Sequence, residues 1–232
     1  MASKPRYYSK DYYYHIYNCG VEKRKVFINL FDYNRFLEVC GYYITRQGVA
    51  YAFFKRLTDV AKETYLGRMV QANLKGLLVP RVSVVAYVLM PNHFHFLLKQ
   101  AIPGGIESYM ADVLNSYTRY FNVKNTRLGS LFQGTYKAKE IRSEESLLQV
   151  SRYIHLNPLG VSIAPYAGGL LDDIAYSSYR SWVKDLEDAL LDKNELGRFL
   201  SLAGGYEKYK DFVESKMSIN SSSGIESLTF GE

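Results

Sequence analysis

The chain has 232 residues, with 29 Lys plus Arg against 23 Asp plus Glu and a formal net charge of +6, long enough for a real hydrophobic core in one domain with an appendage or in two small domains. At 47% hydrophobic and 22% charged residues it reads as neither a disordered chain nor a membrane protein, and its longest apolar run, around 82–90, is too short to span a bilayer. Two cysteines, Cys19 and Cys40, exclude a disulfide framework and a four-cysteine zinc site; with no apolar stretch of a signal peptide in the opening MASKPRYYSKDYYYH, the expected setting is the reduced cytoplasm.

Residues 12–18, rich in β-formers, read as a strand, and the basic turn Val21-Glu22-Lys23-Arg24-Lys25 follows. From 32 to 47 the apolar residues Phe36, Leu37, Cys40, Tyr43 and Ile44 fall at helical spacing behind an Asp32 N-cap, with Gly48 as the stop. A short strand near 51–54 and a helix near 59–73 are expected next. The run 82–90 reads as a buried strand, broken by Pro91-Asn92 and resumed over 93–99, which makes an antiparallel hairpin. Ile106, Met110, Val113, Leu114, Tyr117 and Phe121 share one face of an amphipathic helix over 106–123. A loop punctuated by Gly129 and Gly134 leads to a short strand at 136–141. Ser143 caps a helix with Glu144 and Glu145 in its first turn, and Pro158 ends it by Asn157.

The order strand, helix, strand, strand, helix, strand, helix matches an α+β ferredoxin-like fold, an antiparallel sheet with helices packed on it plus one further helix carrying function. Residues 1–160 are expected to form the catalytic domain. A helical extension over 161–217 (helices at 176–191, 194–202 and 206–217) should pack on it, and the Ser-rich 218–232 should be a disordered tail.

Two residue patterns carry chemistry. In Pro91-Asn92-His93-Phe94-His95-Phe96, strand alternation puts His93 and His95 on one face, where two imidazoles can converge on one divalent metal. On the helix ending at 157, Tyr153 and Asn157 are four apart and share a face. The Asn157 amide oxygen can complete a His-His-Asn set on a hard cation such as Mg2+ or Mn2+, with Tyr153 aimed at the same place. His155 points away and reads as structural. Charge is divided unevenly. Residues 1–160 carry 22 Lys/Arg and 11 Asp/Glu, whereas 161–232 carry 7 and 12. A basic front part, in a chain with 22 Tyr and 12 Phe, suits a polyanion whose bases stack on rings.

Tyr87-Val88-Leu89-Met90-Pro91-Asn92-His93-Phe94-His95, followed by Tyr153-Ile154-His155-Leu156-Asn157-Pro158, resembles the single-tyrosine HUH transposases, and most closely the REP-associated tyrosine transposases. The likeness covers roughly residues 7–185. It includes Tyr14-His15-Ile16-Tyr17-Asn18, Lys23-Arg24-Lys25-Val26-Phe27, Ser116-Tyr117-Thr118-Arg119-Tyr120-Phe121-Asn122, Leu131-Phe132-Gln133-Gly134 and Ser177-Ser178-Tyr179. It departs where the family often has Trp (Phe132) or Arg (Thr135, and the stretch after Pro158), positions that bear on DNA contacts.

The resemblance implies a metal-dependent endonuclease and strand transferase for single-stranded DNA at hairpin-associated sites. Tyr153 would be the nucleophile, with His93, His95 and Asn157 on Mg2+ or Mn2+. Lys23, Arg24, Lys25, Lys137, Lys139, Arg142 and Arg152 are the DNA-binding candidates, no membrane is involved, and monomer and homodimer both stay open. Two other readings stand beside it: a non-catalytic binding module for single-stranded DNA or RNA, and a zinc hydrolase, for which no HExxH arrangement is present. Among rival nucleophiles, Tyr87 sits inside the apolar run 82–90, Tyr117 belongs to the apolar face of the 106–123 helix and Tyr120 sits beside it, which leaves Tyr136 as the alternative to Tyr153.

Overall fold

Four strands, Tyr13–Cys19 (β1), Val82–Met90 (β2), His93–Gln100 (β3) and Lys137–Ile141 (β4), form one antiparallel sheet in the order β2-β3-β1-β4. They are seen in a computed structural model that describes residues 8–76, 78–160, 171 and 176–216. β3 lies between β1 and β2 and is antiparallel to both, which gives the expected ferredoxin-like order. The helices before β2 are Leu30–Tyr43 (α1), Tyr51–Phe54 (α2) and Asp59–Leu74 (α3); Gly105–Lys124 (α4) follows β3 and Glu144–Leu156 (α5) follows β4.

Alternation divides the sheet into two faces. Ile16 pairs with Phe96 and Asn18 with Phe94, while Tyr17 pairs with His95 and Cys19 with His93. The first set meets α1 and α4: the Phe36 ring lies 5.4 Å from Phe94 and 5.0 Å from Tyr117. The second set, which carries the histidines, is covered in part by α5, whose Leu147, Val150 and Ile154 are buried. Many of the tyrosines therefore serve the core, among them Tyr87, Tyr109, Tyr117 and Tyr179.

Four expectations are corrected. Helix α1 begins at Leu30 and is capped by Asn29, whose side chain accepts the Asp32 N–H. Asp32 is instead a fully buried carboxylate: it accepts the Ile28 N–H at 3.0 Å, the Tyr120 hydroxyl at 3.0 Å and the Lys124 ammonium at 2.6 Å. The helix stops at Tyr43, well before Gly48, because the chain turns into a β-bridge between Thr45 and Pro80.

Residues 51–54 are a helical turn and no strand, since the Phe53 and Phe54 N–H groups bond back to the Ala50 carbonyl and the Tyr51 ring packs against Tyr42. The expected helix at 176–191 shrinks to Tyr179–Val183 (α6) because residues 176–178 run beside β2, with Ser177 bridged to Val88: the Leu89 N–H bonds to the Tyr176 carbonyl and the Ser178 N–H to that of Tyr87. Lys193–Ala203 (α7) and Tyr206–Glu214 (α8) complete the extension. The expected disordered tail at 218–232 lies outside the described residues.

Trp182, fully buried, donates its indole N–H to the Val85 carbonyl, and Asp192 and Asp188 accept from Ser83 and Tyr87. The extension is thus stitched to β2. Among the described residues, no helix is long and apolar enough to cross a membrane.

Replacing Asp32 by Ala should lower stability by about 3 kcal/mol, because it strands a backbone N–H and a tyrosine hydroxyl and removes the partner of Lys124. Urea titration should show a lower midpoint at unchanged slope. An unmoved midpoint would mean that the carboxylate is no keystone of the α1–α4 contact.

Candidate functional site

The face that carries His93 and His95 opens into a cavity of about 640 Å3 lined by His15, Tyr17, Cys19, His93, His95, Lys137 and Tyr153. Strand pairing assembles most of it: β1 places His15 and Tyr17 beside β3, and Tyr17 pairs directly with His95 on one side and Lys137 on the other. Helix α5 supplies the rest. Asn157, its C-cap, keeps helical geometry (φ −50°, ψ −39°) ahead of Pro158, and a short 3-10 turn over Asn157–Gly160 follows. Tyr153 and Asn157 therefore do share a face, and that face looks onto the histidines.

Hydrogen bonds orient the donor atoms. His93 Nδ1 lies 2.7 Å from Asn92 Oδ1, an acceptor whose amide nitrogen is turned towards the Lys23 carbonyl. A neutral His93 thus spends its one N–H on Asn92, and its Nε2 lone pair faces Asn157 Oδ1 at 2.9 Å. The Asn157 amide nitrogen is 3.4 Å from His95 Nε2, and His95 Nδ1 is 2.8 Å from His15 Nε2. An amide N–H given to His95 Nε2 makes that nitrogen the lone-pair bearer and leaves Nδ1–H to donate to His15. Burial holds the imidazoles neutral: His93 is shifted down, with Asn157 pulling the other way, His95 well down, with His15 and His93 adding to the effect, and His15 down to about 3, helped by Lys139.

Two imidazole lone pairs and an amide oxygen meeting in this way fit a cation. Donors about 2.1 Å from one hard divalent ion at right angles are themselves about 3 Å apart, close to the 2.9 Å between His93 Nε2 and Asn157 Oδ1. Among the described residues no group of three or more His, Cys, Asp and Glu could hold a metal. The set is two imidazoles and an amide, which does not suit a zinc hydrolase.

The Tyr153 ring stands edge-on to His95 at 5.5 Å and to His15 at 5.8 Å. Its phenol is shifted above the usual tyrosine value by burial and then by nearby Tyr17, while hydrogen bonding from Asn157 works in the opposite direction. Tyr17 stacks on His15 at 4.9 Å and on His95 at 5.6 Å, with the Lys137 ammonium over its ring. His155 is buried on the other side of α5, bonded to the Tyr209 and Ser178 hydroxyls, and burial shifts it down to about 3. Tyr136, the rival nucleophile, is far from this group: it is buried and its hydroxyl meets that of Tyr8, which packs on Tyr14 on the opposite sheet face.

The basic candidates separate. Lys137 lines the cavity, and Lys139, on the same strand, pairs with His15. Lys23, Arg24 and Lys25 sit beside the β2–β3 turn, where the Gly20 N–H bonds to the Asn92 carbonyl. The loop at 20–24 is tight enough that a Cβ on Gly20 would come within 2.3 Å of the Arg24 carbonyl oxygen. Arg142 lies at the far end of β4, ion-paired with Glu140. Arg152 is corrected: it is buried with its guanidinium 4.2 Å from the Phe212 ring and bonds to the Phe212 carbonyl and to Gln149, so α8 covers it and it does not reach the cavity.

His15 and Tyr17 escaped the sequence reading, although strand alternation already put them on one face of residues 12–18. What was missing was the register that brings that face beside His95.

Residues 68–157 match the family model described as transposase IS200 like. Among solved structures, the chain is similar to a REP-associated tyrosine transposase bound to a REP hairpin, with 15% identity, a TM-score of 0.50 and coverage of 83% of this chain and 92% of that one. A candidate transposase from Deinococcus radiodurans R1 aligns at 17% identity and a TM-score of 0.34, over 66% of this chain and 95% of that one. No curated protein matches the sequence.

Proposed function

We propose that this chain, whose residues 68–157 match the IS200-like transposase model, is a transposase of the single-tyrosine type that cuts and rejoins single-stranded DNA at hairpin-associated sites. The observation that carries this reading is the meeting of His93 Nε2 and His95 Nε2 on the one side-chain amide of Asn157, with the Tyr153 ring edge-on to His95. His93, His95 and Asn157 would hold Mg2+ or Mn2+, which would supply charge neutralisation at the non-bridging phosphate oxygens.

The protein's own groups do the rest. Tyr153 Oη attacks phosphorus, its proton passes to water, and the 3′ oxygen of the preceding nucleotide leaves with the P–O bond's electrons and takes a proton from water. The product is a 5′-phosphotyrosine and a free 3′-OH. One phosphodiester is exchanged for another, which keeps the bond available for rejoining to a new 3′-OH. Asn157 orients the phenol from one helical turn away, and His15 and Asn92 fix the imidazoles. Tyr17 offers a ring for a base, and Lys137 and Lys139 offer charge to the backbone.

A non-catalytic binding module has no use for two imidazole nitrogens turned onto one side-chain amide beside a tyrosine. The decisive experiment incubates the protein with labelled single-stranded hairpin DNA and Mg2+ or Mn2+ and looks for an adduct that survives denaturant. Adduct formation that depends on the cation is expected; its absence on every hairpin offered would favour the binding module.

Replacing Lys137 by Ala should weaken single-strand binding and reduce the slope of log affinity against log salt by about 0.7, the share of one phosphate contact on a single strand. Filter binding across a salt series measures this. An unchanged slope would move Lys137 off the strand's path.

A further inference from the structure

On the other side of the molecule, outside the α1–α4 layer, α1, α2 and α4 enclose a second cavity of about 510 Å3. We propose that it is a phosphate-binding pocket, separate from the histidine site, that takes a phosphate group either from a small organic phosphate or from the backbone of a bound strand.

Its floor is Arg35. The guanidinium lies between two tyrosine rings, 5.0 Å from the centre of Tyr51 and 4.8 Å from that of Tyr120. Its Nη1 is buried and has no hydrogen-bond partner among the described atoms. The nearest carboxylate oxygen, of Glu38, stands at 3.9 Å, beyond hydrogen-bond reach. Glu38 is already engaged by the Tyr51 hydroxyl at 2.5 Å and faces Lys55 at 3.7 Å. A buried N–H without an acceptor calls for a ligand that supplies one, and a planar guanidinium held by ring stacking is pre-organised for a phosphate oxygen pair.

The walls repeat the sign. Lys55, Arg56, Arg119 and Lys124 line the same cavity. Lys124 is spent on Asp32 and Lys55 faces Glu38, whereas Arg56 and Arg119 make no ion pair with a described residue. The one acid in the lining, Asp112, is bound to Arg81 at 2.7 Å. Two arginines are therefore left to close over an anion seated on Arg35. The pocket shares no residue with the histidine cavity and lies across the sheet from it, so it binds without taking part in strand cleavage.

The test is calorimetric titration of the full chain with inorganic phosphate and with thymidine monophosphate, beside strand binding by a labelled oligothymidylate. Saturable binding of the small phosphates is expected, weakened about tenfold by Arg119→Ala, a loss of about 1.4 kcal/mol. Because Arg119 is exposed, that variant keeps the fold; Arg35→Gln, checked by circular dichroism, is the second variant. Tyr153→Phe and His95→Ala should bind the small phosphates as the wild type does.

If phosphate competes with the oligonucleotide and Arg119→Ala weakens strand binding, the ligand is the strand's backbone. If the small phosphates bind while strand binding ignores both phosphate and Arg119→Ala, it is a free phosphate ester. No saturable phosphate binding, or equal binding by wild type and both variants, overturns the proposal.

Discussion

Tyr153→Phe should remove the covalent protein–DNA adduct completely while single-strand affinity and thermal midpoint stay at wild-type values. The change deletes one hydroxyl from a half-buried ring that stands edge-on to His15 and His95, so volume and ring packing survive. The nucleophile does not, and a phosphotyrosine cannot form without it. Denaturing gel electrophoresis of labelled DNA after incubation with Mn2+ gives the readout. If adduct persists at the wild-type rate, the next residue to test is Tyr17. It lies in the same cavity against His95, whereas Tyr136 is on the wrong sheet face.

The second large effect is on cation binding. His95→Ala should weaken Mn2+ affinity by about a hundredfold or more, since one of three donors is lost. His15→Phe should weaken it by about tenfold to a hundredfold, the usual cost of losing a partner that orients a metal-binding histidine. His15 supplies no donor to the cation; it acts through the 2.8 Å contact with His95 Nδ1. His15→Gln, whose amide oxygen can accept the same N–H, should recover part of the loss. Calorimetric titration with Mn2+, without DNA, checks all three. Wild-type affinity in His95→Ala would break the link between these histidines and the metal, and wild-type affinity in His15→Phe would reduce His15 to packing.

Legibility followed the strength of the local pattern. The β2–β3 hairpin, α4 and α5 were readable because apolar spacing, Pro91-Asn92 and the Ser143 cap all pointed the same way. Four residues at 51–54 are too few to show a period, and there tertiary packing of Tyr51 on Tyr42 decided for helix. Asp32 looks like any capping aspartate; only Lys124 and Tyr120, about ninety residues on, make it a buried acid. The same distance problem misled the reading of Arg152, which is covered by Phe212, and hid His15, whose place depends on strand register. Within the site, the spacing of His93, His95, Tyr153 and Asn157 carried the reading. Their convergence needed only alternation and one helical turn, both local rules.

The segment at 176–178 has a bearing on what happens when the chain is shortened. It lies along β2, and Trp182 reaches the same strand at Val85. Without that cover β2 would present an almost wholly apolar nine-residue edge, VSVVAYVLM, the kind of strand that recruits another copy of itself. His155 would lose both hydroxyl partners in the same stroke. A coding sequence cut near residue 160 would keep every residue proposed for the chemistry, yet its product would be an adhesive sheet headed for aggregation. For this chain, damage by truncation is self-silencing: the reactive tyrosine is not left at large on a half-length protein.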